Sequence, residues 1–286
     1  MAKEPDKYQD KYTATWVSHS SMGDFLKCER LYYLHNVYKN PKTGKKINIT
    51  CPPLALGIAV HEVLEPLAWL KAEDRLKQPF KELYEKAWKP VSGKMGGFKN
   101  AEEEEKQKER GWQMIQRVIE NPGPILKPAV RLGKSRDDLP YFFLLPEENV
   151  ILCGKIDWMQ YIKETDSLHI IDFKTGKKEE SDDSLQLPIY LLLGAHYKTR
   201  PITKASYWYI DRDTELLEKK LPSKEEAIEK VVKIARDVAK ARKGDMKCKT
   251  NGCRHCEPFE KILRGEAEYV GVGNFKQELY VIAFSL

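Results

Sequence analysis

The run Ile170-Ile171-Asp172-Phe173-Lys174-Thr175-Gly176 constrains this chain more than any other stretch. Apolar residues lead into an acid, one residue follows, then a lysine, then a turn. In a strand, side chains alternate between faces, so Asp172 and Lys174 lie on one side. Taken alone, an Asp-x-Lys at a strand end is usually a surface ion pair. A second strand-like run, Val150 to Trp158, carries Asp157 near its end. If the two strands pair, two carboxylates and an ammonium meet at one spot. Hard oxygen ligands beside a fixed cation are what a divalent metal ion and a phosphodiester require.

The remaining sequence fills in a mixed α/β or α+β chain. At 286 residues it is long enough to bury a large core. The predicted helices run from Ser20 or Ser21 to His35, from Leu54 to Lys89, from Ala101 to Glu120 and from Ser184 to Tyr197. The most distinct covers Ser223 to Lys243, where Ser223 and Glu226 form a capping box and Gly244 follows. Predicted strands are Tyr141–Leu145, Val150–Ile162, Leu168–Lys174, Ala205–Ile210 and Leu279–Phe284. Asn40 to Pro53 reads as a loop, and residues 1–14 as a polar, loosely ordered start. The organisation expected is a polar tail over 1–17, a helical region over 18–135, a core over 136–245 that holds both acids and the lysine, and a cysteine-bearing segment with a strand over 246–286. Together these form one compact domain.

With 49 Lys+Arg against 43 Asp+Glu the net charge is +6, which suits a polyanionic partner without establishing one. The first residues carry no apolar leader and no run is long enough to span a bilayer, so a cytoplasmic protein without membrane contact is expected. Six cysteines in so long a chain do not read as a disulfide framework.

Further residues accompany the acids and the lysine. Gly57-Ile58-Ala59-Val60-His61-Glu62-Val63-Leu64-Glu65 places a histidine on a helix, and Gln186 and Tyr190 lie four apart on one helical face. A lone helical histidine is usually structural. Here it is one member of an ordered set, which resembles the RecB-like branch of the PD-(D/E)XK nuclease superfamily. The resemblance rests on Gly57-x3-His61-x2-Leu64-Glu65, Gly154-Lys155-Ile156-Asp157, Ile171 to Gly176 and Gln186-Leu187-Pro188-Ile189-Tyr190. At the front, Ser18-His19-Ser20-Ser21 and Cys28-Glu29-Arg30-Leu31-Tyr32 look like the family's opening segment, with Glu29 where proline is usual.

The resemblance implies a restriction-endonuclease-like central mixed sheet flanked by helices, with an N-terminal helical segment and a C-terminal cysteine cluster. It implies that His61, Asp157 and Asp172 hold Mg2+ or Mn2+, and that Asp157, Asp172, Lys174, Gln186 and Tyr190 form the catalytic set. The function implied is a metal-dependent DNA exonuclease acting on ends or single strands in recombination, repair or phage and CRISPR DNA processing, in a bacterial, archaeal or phage-infected cell. The chain has no Walker A motif, so any helicase or recombination protein is a separate partner. The alternative is a non-catalytic DNA-binding adaptor of the same fold.

Nucleases of the AddB and CRISPR-adaptation kind bind a [4Fe-4S] cluster through one cysteine near the front and three near the end. Cys28, Cys253 and Cys256 fall on three of those positions. The family's last cysteine would fall near Ile262, where there is none; Cys248 supplies a fourth thiol from the other side. A zinc site from Cys248, Cys253 and Cys256 with Cys28 or His255 competes with the cluster, as do thiols binding no metal. Cys51 and Cys153 read as structural. Lys39, Lys42, Lys45, Lys46, Lys174, Lys177 and Lys178 are candidates for phosphate contacts. Tyr32, Tyr33 and Tyr38 read as core packing before base stacking.

Overall fold

In the computed structural model, which describes residues 10–282, the chain opens on β1 (Thr15–Val17), α1 (His19–Lys27), α2 (Glu29–Tyr32) and β2 (Ile47–Ile49). A helical stretch follows: α3 (Pro52–Leu64), α4 (Ala72–Arg75), α5 (Phe80–Trp88) and α6 (Ala101–Glu120). Then come β3 (Tyr141–Leu145), β4 (Val150–Cys153), β5 (Trp158–Ile162), β6 (Ser167–Phe173), α7 (Gln186–Tyr197), β7 (Ile202–Trp208) and β8 (Leu217–Lys219). The chain finishes on α8 (Lys224–Ala241), α9 (Glu257–Leu263), β9 (Ala267–Val272) and β10 (Glu278–Ile282). The helix starts are written locally. Pro52 and Pro53 occupy the first turn of α3, where an N–H would be unpartnered anyway. Asn100 caps α6 by accepting from Glu103 N, and Ser223 and Glu226 form the expected capping box on α8.

This is an α/β fold of mixed sheets flanked by helices. The central sheet has the order β5-β6-β7-β8: β6 runs antiparallel to β5 and parallel to β7, and β8 is antiparallel to β7. The parallel pair demands a crossover, which α7 supplies. All seven residues of β6 are buried. Leu168 and Ile170 pack on one face with α7 and α8, while Ile171 and Phe173 pack on the other with α3, α5 and α6. Two smaller sheets, β1-β4-β3 and β2-β10-β9, flank this core. Among the described residues no helix is long and apolar enough to cross a membrane.

Several expectations need correction. The predicted helix to His35 breaks at Cys28, whose φ of −169° and ψ of 126° are extended. The run Val150–Ile162 is not one strand: residues 154–157 leave the sheet, so Asp157 stands just before β5 rather than within a strand. Thr15–Val17, expected in a polar tail, is β1 and pairs in parallel with β4. Ile47–Ile49, inside the predicted loop, is β2 and pairs in parallel with β10. The helical stretch after Leu54 is interrupted at Glu65–Trp69, where Pro66 tightens the chain into a 3-10 turn. The predicted strand Leu279–Phe284 ends in the described residues at Ile282; Ala283 and Phe284 lie outside them.

Candidate active site

Three elements bring the site together. Trp158 of β5 pairs with Ile171 of β6, so Asp157 stands opposite Asp172 one step along the ladder. Phe173 N donates to Asp157 Oδ2 at 2.8 Å, which ties the residue before β5 to the end of β6. Across the strand ends lies α3. A Cβ on Gly57 would sit 3.2 Å from Thr175 Oγ1, so glycine lets the helix approach the turn after Lys174. One turn further along α3, His61 Nδ1 lies 3.6 Å from Asp157 Oδ2 and donates to Glu65 Oε1 at 2.9 Å.

The other half of the site is built on α7. Gln186 occupies its first position and uses both ends of its amide: Lys174 Nζ donates to Oε1 at 2.6 Å, and Nε2 donates to Asp172 Oδ1 at 2.7 Å. Tyr190, one turn on, donates its hydroxyl to Asp172 Oδ1 at 3.1 Å. Lys174 Nζ also lies 2.8 Å from Asp172 Oδ2 and 3.4 Å from Glu180 Oε2. Asp172 is 4 % exposed and Asp157 10 %, so both carboxylates are withdrawn from bulk water.

That withdrawal governs the electrostatics. Burial, followed by the charge of Asp172, holds the Asp157 carboxyl well above the usual carboxylate range. Burial works against a charged His61, but Asp157 and then Glu65 outweigh it and push its pKa up to about 9. Lys174 is likewise raised, because Asp172 overcomes its burial. Burial and the nearby Asp172 and Asp157 drive the Tyr190 hydroxyl up, so it stays a donor. Burial leaves the Asp157 carboxyl short of compensating positive charge, which a divalent cation bound beside it would supply. Ligand atoms of His61, Glu65 and Asp157 all lie within 4.8 Å of one another. Carboxylate oxygens with one imidazole nitrogen suit Mg2+ or Mn2+, the nitrogen favouring Mn2+.

All six residues singled out from the sequence therefore converge, in two linked groups: His61 with Asp157, and Asp172 with Lys174, Gln186 and Tyr190. Glu65 belongs with the first group and was not among the expected site residues, although its position four after His61 was a signal. Lys155 pairs with it at 2.7 Å. Glu180 and His19 were also missed; His19 Nε2 lies 3.2 Å from Ser184 Oγ and 3.9 Å from Glu180 Oε1. A cavity opens beside Asp157 and His61, walled by Arg131, Arg136 and Lys155. Its outer wall is pinned to β5 by hydrogen bonds from Val130 N to Met159 O and from Tyr161 N to Pro128 O, and to α3 by the ion pair of Arg136 with Glu62.

The expected cysteines also meet. The extended backbone at Cys28 turns its thiol toward the tail, and the sulfurs of Cys28, Cys248, Cys253 and Cys256 all lie within 4.8 Å of one another. His255 is not part of this set; Arg254 Nε donates to its Nε2 at 3.4 Å. Cys153 is buried and donates to Val17 O at 3.5 Å, a structural role, and Cys51 stands at the N-cap of α3. Of the candidate lysines, Lys177 and Lys178 are exposed on the segment joining Lys174 to α7, Lys39, Lys42 and Lys46 are exposed near β2, and Lys45 is half-buried. Tyr32 is fully buried, as core packing requires.

With this geometry in place, a family model described as the PD-(D/E)XK nuclease superfamily matches residues 16–258. That span contains the acid–lysine cluster and all four grouped cysteines. No curated protein matches the chain.

Proposed function

Since the chain belongs to the PD-(D/E)XK nuclease superfamily, whose members are in general metal-dependent nucleases, we propose that it is a deoxyribonuclease, and an exonuclease working at DNA ends or in single strands. One observation carries this reading: a buried pair of acids on adjoining strand ends, with Lys174 held between Asp172 and Gln186. A surface ion pair needs neither the burial nor the amide that fixes both partners. A non-catalytic adaptor would have no use for either.

Asp157 and Asp172, with His61 and with Glu65 beside it, would hold Mg2+ or Mn2+. When bound, the ion supplies a Lewis acid that makes water nucleophilic at neutral pH and neutralises charge growing on the scissile phosphate. The chain's own residues do the rest. Lys174 orients the attacking water and stabilises the charge of the transition state. Gln186 sets the distance between Lys174 and Asp172, and Tyr190 holds Asp172 in one rotamer. Arg131, Arg136 and Lys155 offer cations for the phosphates of the strand beside Asp157. The segment around 128–140 walls off one side of the site, which suits a strand that ends there better than a continuous duplex passing through. Lys177 and Lys178, exposed on the segment after Lys174, offer further cations.

The test is digestion of end-labelled single- and double-stranded DNA with Mg2+, Mn2+ or EDTA. Wild-type protein is expected to shorten labelled ends only when a metal ion is supplied. Asp172→Asn and Lys174→Ala should each lose at least about a hundredfold in rate while still binding DNA. Wild-type rates in either purified variant would remove the assignment. Cuts inside a closed circle would keep the nuclease and remove the exonuclease.

A further inference from the structure

The four grouped thiols are spaced for one metal ion. In a tetrahedral tetrathiolate site, Zn–S bonds of about 2.3 Å place the sulfurs about 3.8 Å apart. A four-iron cluster puts a cube of iron and sulfide between its thiolates and holds them roughly 6 Å apart. Here every pair among Cys28, Cys248, Cys253 and Cys256 lies within 4.8 Å, and Cys253 Sγ is 3.6 Å from Cys256 Sγ. These sulfurs would have to separate to hold the cube that the sequence resemblance implies, whereas a single ion fits the spacing they already have.

Further observations agree. The position where that resemblance would place its last cysteine is Ile262, which is buried with Leu31, Leu34, Ile47 and Phe259. An isoleucine there packs against the cysteine group and supplies no ligand. Cys248 replaces it from the opposite side, on a turn closed by Asn251 N donating to Cys248 O at 3.2 Å. Thr250 Oγ1 donates to Gly252 O at 3.0 Å and lies 3.4 Å from Cys248 Sγ, which fixes the turn that carries the thiol. Cys253 and Cys256 sit on either side of one tight turn, in which Glu257 N donates to Cys253 O at 2.9 Å.

We infer that Cys28, Cys248, Cys253 and Cys256 form a closed, tetrahedral site for a single zinc ion, which ties the break between α1 and α2 to the segment before α9. With four protein ligands the ion keeps no open position, so its role is structural.

The full chain, purified anaerobically without added metal and dialysed against EDTA, tests this directly. About one zinc ion per chain is expected, with no acid-labile sulfide. Asp172→Asn should retain the zinc, which separates this site from the acid cluster, whereas Cys28→Ser and Cys248→Ser should lose it. Exchange into Co2+ should give the intense visible bands of tetrahedral thiolate-bound cobalt. The cobalt spectrum of the unmutated chain decides the matter even where a serine variant fails to fold. Iron with stoichiometric sulfide and a brown chromophore would overturn the proposal, and so would a folded chain that retains no metal.

Discussion

At the residue scale, Gln186 concentrates the design of the acid cluster. A single amide accepts from Lys174 and donates to Asp172, so it fixes the orientation of both partners of an ion pair already in contact at 2.8 Å. Removing it leaves two buried charged groups with fewer partners, at a cost of order 1–3 kcal/mol. Gln186→Ala is therefore expected to lower kcat on labelled DNA by about tenfold to a hundredfold with little change in KM; an unchanged kcat would make Gln186 a bystander. The sequence made this residue legible, because Gln186 and Tyr190 are four apart and follow Asp172 and Lys174 in order. It did not make Glu180 legible, since nothing in the polar run between Lys174 and α7 marks which acid folds back on Lys174. Glu65 lies between these cases: its spacing from His61 was visible, but its ion pair with Lys155 depends on how α3 crosses residues 154–157.

At the scale of elements, helix contacts follow from periodicity while strand contacts depend on partners far along the chain. The α6 helix was legible to its last residue, because a capping asparagine, an acidic first turn and an apolar face all lie within its own sequence. The strand β2 was hidden among lysines and glycines, since what makes Ile47–Ile49 a strand is β10, more than two hundred residues later. The break at Cys28 carries neither proline nor glycine, so nothing in the local sequence marks it. A testable element-level contact is the crossing of α5 and α6. A Cβ at Gly111 would collide with the Tyr84 hydroxyl, which is fully buried and donates to Lys108 O at 2.8 Å, so it has nowhere to swing. Gly111→Ala gains helix propensity but overpacks this crossing. A net loss of about 1–3 kcal/mol is expected, read as a lower denaturant midpoint at an unchanged slope. A higher midpoint would mean that the two helices separate more readily than their packing implies.

At the scale of the molecule, charge and topology act together. The net charge is only +6, yet exposed cations accompany the acid cluster: Lys177 and Lys178 follow Lys174 in the chain, and Arg131, Arg136 and Lys155 line the cavity beside Asp157. DNA binding measured in EDTA should weaken steeply with salt. Replacing Lys177 and Lys178 together by alanine should lessen the slope of log K against log salt by about 1–2; an unaltered slope would place the strand elsewhere. The topology has a separate consequence for how the chain is made. Among the described residues β2 pairs only with β10, so a nascent chain carries β2 as an unpaired edge until residues 278–282 have been synthesised. During that interval the edge is open to other strands, so synthesis rate and chaperone supply should set the yield of this protein more than its final stability does.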